Sequence, residues 1–74
     1  MSIKQKDSVM AQNIRKLRLA HGMTQAELAE KLFVGQSAVA RWENNDTLPC
    51  RKYWPGLARA LGCTVEELQK QEAV

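Results

Sequence analysis

Between Gln36 and Asn44 the side chains are unusual for a helix surface. Placed on a helix of 3.6 residues per turn, Gln36, Ser37, Ala40, Arg41 and Asn44 stand at offsets of zero, one, four, five and eight and share one side. Val39 and Trp42 fall on the opposite side, with Ala38 beside them. The outer side therefore holds amides, a hydroxyl, a guanidinium and a methyl group, and no carboxylate. These groups match the edges of base pairs in a major groove. Gln can bind adenine through both amide atoms, Arg can bind guanine, Ser suits either, and Ala can touch a thymine methyl. An outward Glu would be repelled by phosphates, and small residues let the backbone approach the bases. The same face is also what an ordinary solvated surface can look like, so its neighbours must decide.

The preceding segment is the first of them. Thr24-Gln25-Ala26-Glu27 has the form of a capping box, with Thr24 at the N-cap and Glu27 reaching back, and Met23 and Leu28 form a hydrophobic staple across it. Leu28 and Leu32 face the core. Three residues, Phe33, Val34 and Gly35, then separate this helix from the next, which is the spacing of a helix-turn-helix. Ala29 falls where the two helices cross and a larger side chain would part them. Gly35 is the expected cap of the third helix, and Asn44-Asn45-Asp46 end it, because these residues favour turns.

A first helix is predicted from Ser8, its cap, through Met10, Ile14 and Leu17, with His21 in its last turn and Gly22 as its stop. Pro49 keeps the segment after the third helix extended. A fourth helix begins near Tyr53 to Pro55, buries Leu57, Ala58 and Leu61, and stops at Gly62. Thr64 and Glu67 form a second capping box that opens a fifth, with Cys63 and Leu68 as its staple. Five helices with short connections and no strand predict an all-α domain over residues 8–70. It is flanked by a polar, fraying arm over residues 1–7 and a short tail over 71–74.

The length of 74 residues fits one domain whose core supports about 3–5 kcal/mol. Hydrophobic content of 45% and charged content of 26% are ordinary for a globular protein. No apolar run reaches membrane-spanning length, and no apolar segment follows the polar Met1–Asp7 as a signal peptide would require. Cys50 and Cys63 are too few for a disulfide framework and lack zinc-site spacing. They read as reduced thiols, with a single bridge as the alternative. The net charge of +3 is unevenly spread. Residues 1–60 hold ten Lys/Arg against five acids, a balance of +5, and residues 61–74 hold Lys70 against Glu66, Glu67 and Glu72, a balance of −2. A basic body suits a polyanion, although that balance alone proves little.

Taken together, "IRKLR", "MTQAELAEKL", "VGQSAVARWEN" and "LARALGCTVEEL" resemble the lambda-repressor-like (Cro/CI-type, XRE) helix-turn-helix family from about Ile14 to Leu68. The resemblance implies a compact five-helix DNA-binding domain whose third helix enters the major groove. Gln36, Ser37, Ala40 and Arg41 match its base-contacting positions. Gln25 matches a phosphate-binding Gln that steadies the first Gln of the third helix, and Asn44, Arg51 and Lys52 match backbone contacts. Arg18 and Glu43 match a buried ion pair tying the first helix to the third. Trp54 and Val65 match dimer-interface positions, although Trp54 can equally cap the core. The family usually has Gly where this chain has Phe33, at a turn that often takes positive φ. Strain there, relieved by burial of the ring, is the expectation; a slightly different turn is the alternative.

The implied partner is double-stranded DNA, bound by a homodimer, with no separate oligomerisation domain, membrane, cofactor or small-molecule ligand in view. The implied setting is the cytoplasm of a bacterium, or a phage-encoded protein. Lys4 and Lys6 could follow the DNA as an arm or stay solvated. Catalysis finds little support, since His21 is remote from either Cys in sequence and no phosphate-cradling loop occurs. The rival is a protein-interaction module, such as an antitoxin, adaptor or anti-repressor, built on the same fold.

Overall fold

The computed structural model of the protein describes residues 9–70. The expected Ser8 cap, the arm with Lys4 and Lys6 and the 71–74 tail lie outside them. The described residues form α1 (Val9–Ala20), α2 (Gln25–Leu32), α3 (Gln36–Glu43), a 3₁₀ turn (Arg51–Tyr53), α4 (Trp54–Leu61) and α5 (Val65–Gln69). The architecture is the all-α, five-helix arrangement that the spacing predicts.

Both capping boxes form. The Thr24 hydroxyl accepts from the Glu27 backbone N–H at 3.0 Å while the Thr24 N–H donates to Glu27 Oε1 at 2.8 Å. Thr64 and Glu67 repeat the pair at 3.0 and 2.9 Å. Each box satisfies helix N–H groups that would otherwise lack partners. The apolar stripes then meet in one core: Ile14, Leu28, Val39, Leu57, Leu61 and Leu68 are fully enclosed. Ala29 is 2% exposed, and its carbonyl accepts the Val34 N–H at 3.0 Å as the chain turns into α3. A small residue at this position suits the close pairing of α2 with α3.

Several boundaries differ from the sequence expectation. His21 lies beyond the end of α1, and its Nε2–H donates to the Leu61 carbonyl at 2.8 Å, joining the ends of α1 and α4. Gly62 makes that approach possible. Its φ is +70°, and an added Cβ would stand 3.2 Å from His21 Nε2. The extended segment after Pro49 is short, because the chain winds into the 3₁₀ turn from Arg51. Asn13, which periodicity alone would leave polar and outward, is buried. Its Nδ2 donates to the carbonyls of Leu68 at 2.7 Å, Lys70 at 3.0 Å and Glu67 at 3.3 Å, capping the end of α5.

Phe33 requires a correction. Its backbone is left-handed, φ 59° and ψ 41°, and its N–H bonds the last carbonyls of α2, so the turn has the form that favours Gly. The ring, however, is not buried: Phe33 is 95% exposed. With the ring this exposed, no packing offsets the strain.

Candidate nucleic-acid interface

The helix α3 is held from beneath. Val39 and Trp42 are buried, and the Trp42 ring meets Tyr53 at a centroid distance of 5.7 Å. Gly35 begins the helix in extended geometry without a side-chain cap, so no capping side chain crowds its exposed N-terminus. Gln36, Ser37, Arg41 and Asn44 are exposed, and Ala40 is half-buried between them. The structure thus brings the four candidate reading residues, Gln36, Ser37, Ala40 and Arg41, onto one side of α3, with Asn44 at its C-cap.

Beneath this side runs a connected set of polar contacts. Arg18 Nε donates to Glu43 Oε2 at 2.6 Å, Arg18 Nη2 to Glu43 Oε1 at 3.0 Å, and Arg18 Nη1 to the Met23 carbonyl at 2.7 Å. The Glu43 side chain is only 3% exposed. Its hydrogen bond raises the Arg18 pKa above the ordinary guanidinium value, against the opposing effect of burial. One guanidinium therefore joins α1, the entry to α2 and the end of α3. Glu43 Oε1 also accepts from Gln25 Nε2 at 3.2 Å, and Gln25 Oε1 accepts from Gln36 Nε2 at 3.3 Å. The family resemblance pairs these two glutamines, and the structure places them in contact. The continuation of this contact to Glu43 has no signal in the sequence, because nothing in the spacing of residues 25 and 43 announces it.

Arg51 and Lys52, both exposed, stand on the 3₁₀ turn. The Arg51 guanidinium lies 5.4 Å from the Trp54 ring centre and Lys52 Nζ lies 5.3 Å from that of Tyr53. Trp54 Nε1 donates to the Pro49 carbonyl at 3.0 Å, fixing its ring across the loop. Cation–π attraction then narrows the range of both charges without neutralising them. The run Arg51-Lys52-Tyr53-Trp54 carried this signal in the sequence, as two cations followed by two rings. Trp54 and Val65, the expected interface pair, are each half-buried and packed against the core. Cys50 is exposed and Cys63 half-buried, and neither is bridged. Burial, and then the nearby Glu67 charge, pushes the Cys63 thiol pKa up. No helix among the described residues is long and apolar enough to cross a membrane.

Residues 14–68 match the helix-turn-helix family. Among solved structures, the P22 c2 repressor in complex with a synthetic operator superposes with a TM-score of 0.79 at 30% identity, covering 85% of this chain and 96% of that one. SinR, the master regulator for biofilm formation, solved in complex with DNA, gives 0.76 at 27% identity over 82% and 98% of the two chains. The HTH-type transcriptional activator BcrR of Enterococcus faecalis is 28% identical over 61 residues. That stretch is 82% of this chain but 30% of BcrR, so the chain spans under a third of that relative's length.

Proposed function

The chain belongs to the helix-turn-helix family of DNA-binding transcriptional regulators, and from that premise we propose that it binds a specific duplex sequence with α3 in the major groove. Gln36, Ser37, Ala40 and Arg41 meet base edges. Gln25, Asn44, Arg51 and Lys52 hold the flanking phosphates. The domain, over residues 8–70, works as a homodimer on a palindromic operator, with Trp54 and Val65 at the junction, and represses transcription in a bacterial or phage setting. The observation that carries this is the exposed Gln36, Ser37, Arg41 and Asn44 set on a helix whose other side is locked into the core. Hydrogen-bonding groups held rigidly are what base discrimination needs, because each good bidentate contact discriminates by only ~1–3 kcal/mol.

Selection of bound duplexes from a random pool, at a stated salt concentration, tests the proposal. A palindrome with half-site centres about 34 Å apart is the expected product. Log affinity should fall by about 0.9 per unit of log salt for each phosphate neutralised. Gln36→Ala should relax base preference at one position, whereas Arg51→Ala should weaken all duplexes alike. Unchanged sequence preference in Gln36→Ala would overturn the assignment of the reading face.

One observation favours a second reading. The bare Phe33 ring suits a protein partner better than a phosphate backbone. A protein-interaction module would show little salt dependence with duplex DNA and no selected sequence.

A further inference from the structure

The contacts beneath α3 have a direction. A carboxylate only accepts hydrogen bonds, so Glu43 admits only the nitrogen end of the Gln25 amide. That turns Gln25 Oε1 toward Gln36, where it in turn admits only the nitrogen end of the second amide. An amide alone has two nearly equivalent orientations that exchange donor and acceptor. Here the orientation of both is set by one charged group, itself held by Arg18 through Nε and Nη2.

We propose that Glu43, acting through Gln25, is a positioning residue for sequence recognition: it fixes the order in which Gln36 presents its amide acceptor and its remaining N–H to a base pair. The inference rests on the reading of Gln36 as a base-contacting residue and adds what decides its preference. Adenine presents an N7 acceptor beside an N6 donor. An amide in one order pairs with both. In the reversed order at the same place, donor would face donor and acceptor would face acceptor. A buried ion pair that holds the fold would thereby also choose the base.

The test exchanges the polarity of the relay while leaving its ends in place. In Gln25→Lys, the ammonium can donate to Glu43 and to Gln36 Oε1, which reverses Gln36. In Gln25→Met the relay is cut and Gln36 is free to flip. Affinity for the selected duplex and for its variants at the Gln36 position is measured alongside affinity for a random duplex. Discrimination at that one position should drop about tenfold in Gln25→Met. In Gln25→Lys the preferred base should change, read as the ratio of affinities for the selected duplex and its variants at that position, since the new ammonium also alters the phosphate contact assigned to Gln25. Without DNA, the Gln36 side-chain amide protons should give well-separated NMR signals in the parent that move to free-amide positions in both variants. Thermal melts confirm that each variant is folded.

If Gln36→Ala alters base preference but both Gln25 variants keep the parent's preference, the relay is overturned and the reading face survives. If Gln36→Ala also changes nothing, the reading face fails and the relay fails with it. Amide signals already at free positions in the parent would overturn the relay independently of any DNA.

Discussion

Phe33 is strained with nothing packed against its ring to offset it. A bulky residue in the left-handed region costs about 1–2 kcal/mol, and Gly at the same place gives back about 0.5–1 of any gain through its freedom in the unfolded chain. Phe33→Gly should therefore stabilise the domain by about 1 kcal/mol, raising the thermal midpoint by about 4–8 °C. A midpoint that stayed level or fell would mean that the ring has a partner. The left-handed turn was implied by the family resemblance, which places Gly where this chain has Phe33, whereas the exposure of the ring was not, because φ depends on local sterics and burial on how the helices pack. The reading face was legible for the complementary reason: Gln36, Ser37, Ala40, Arg41 and Asn44 are related by helical period. Gln25 and Glu43 are related only through the fold. Cys63 gives a pH test at the same scale. Its folded thiol keeps its proton to higher pH than an unfolded one, so its contribution is intact below the ordinary thiol range and is lost as pH rises through it. A denaturant midpoint followed from pH 7 to 10 should decline toward the alkaline end, and Cys63→Ser should flatten that decline.

Elements are joined here by few side chains, each spanning more than one helix. Arg18 is the strongest case. Arg18→Met leaves Glu43 buried without its guanidinium, at a cost of about 3–5 kcal/mol. A core of this size supports a similar amount. The variant should be largely unfolded at room temperature by circular dichroism; a folded variant with normal melting would show that Glu43 finds another partner. Thr24→Ala and Thr64→Ala each remove one cap and should cost about 1 kcal/mol, shifting the melt without abolishing it. Both capping boxes could be read directly, because a cap is decided within four residues. The ends of α1 and α4 could not be read as well, since His21 and Gly62 are fitted to each other across 41 positions of sequence.

For the whole molecule, dimensions limit how two copies can meet. The described residues extend 35 × 27 × 23 Å. Copies centred on half-sites about 34 Å apart are separated by nearly the longest dimension of one copy, so we expect them to meet over less than the ~1,200–2,000 Å² of a stable interface. The proposed dimer should therefore assemble on DNA: sedimentation of the free domain should show a monomer at about 10 μM, with cooperative binding of a second copy to a palindrome. A dimer persisting at nanomolar concentration without DNA would contradict this arrangement. The Asn13 amide has a consequence of its own. It clasps α5 across 55 positions of sequence, and a five-residue helix is far below the ~12–15 residues that hold together unaided in water. The shape of α5 is thus on loan from α1. In Asn13→Ala, hydrogen exchange should quicken at the amides of α5 well before those of α2 and α3, as if a buckle had been undone while the garment stayed on.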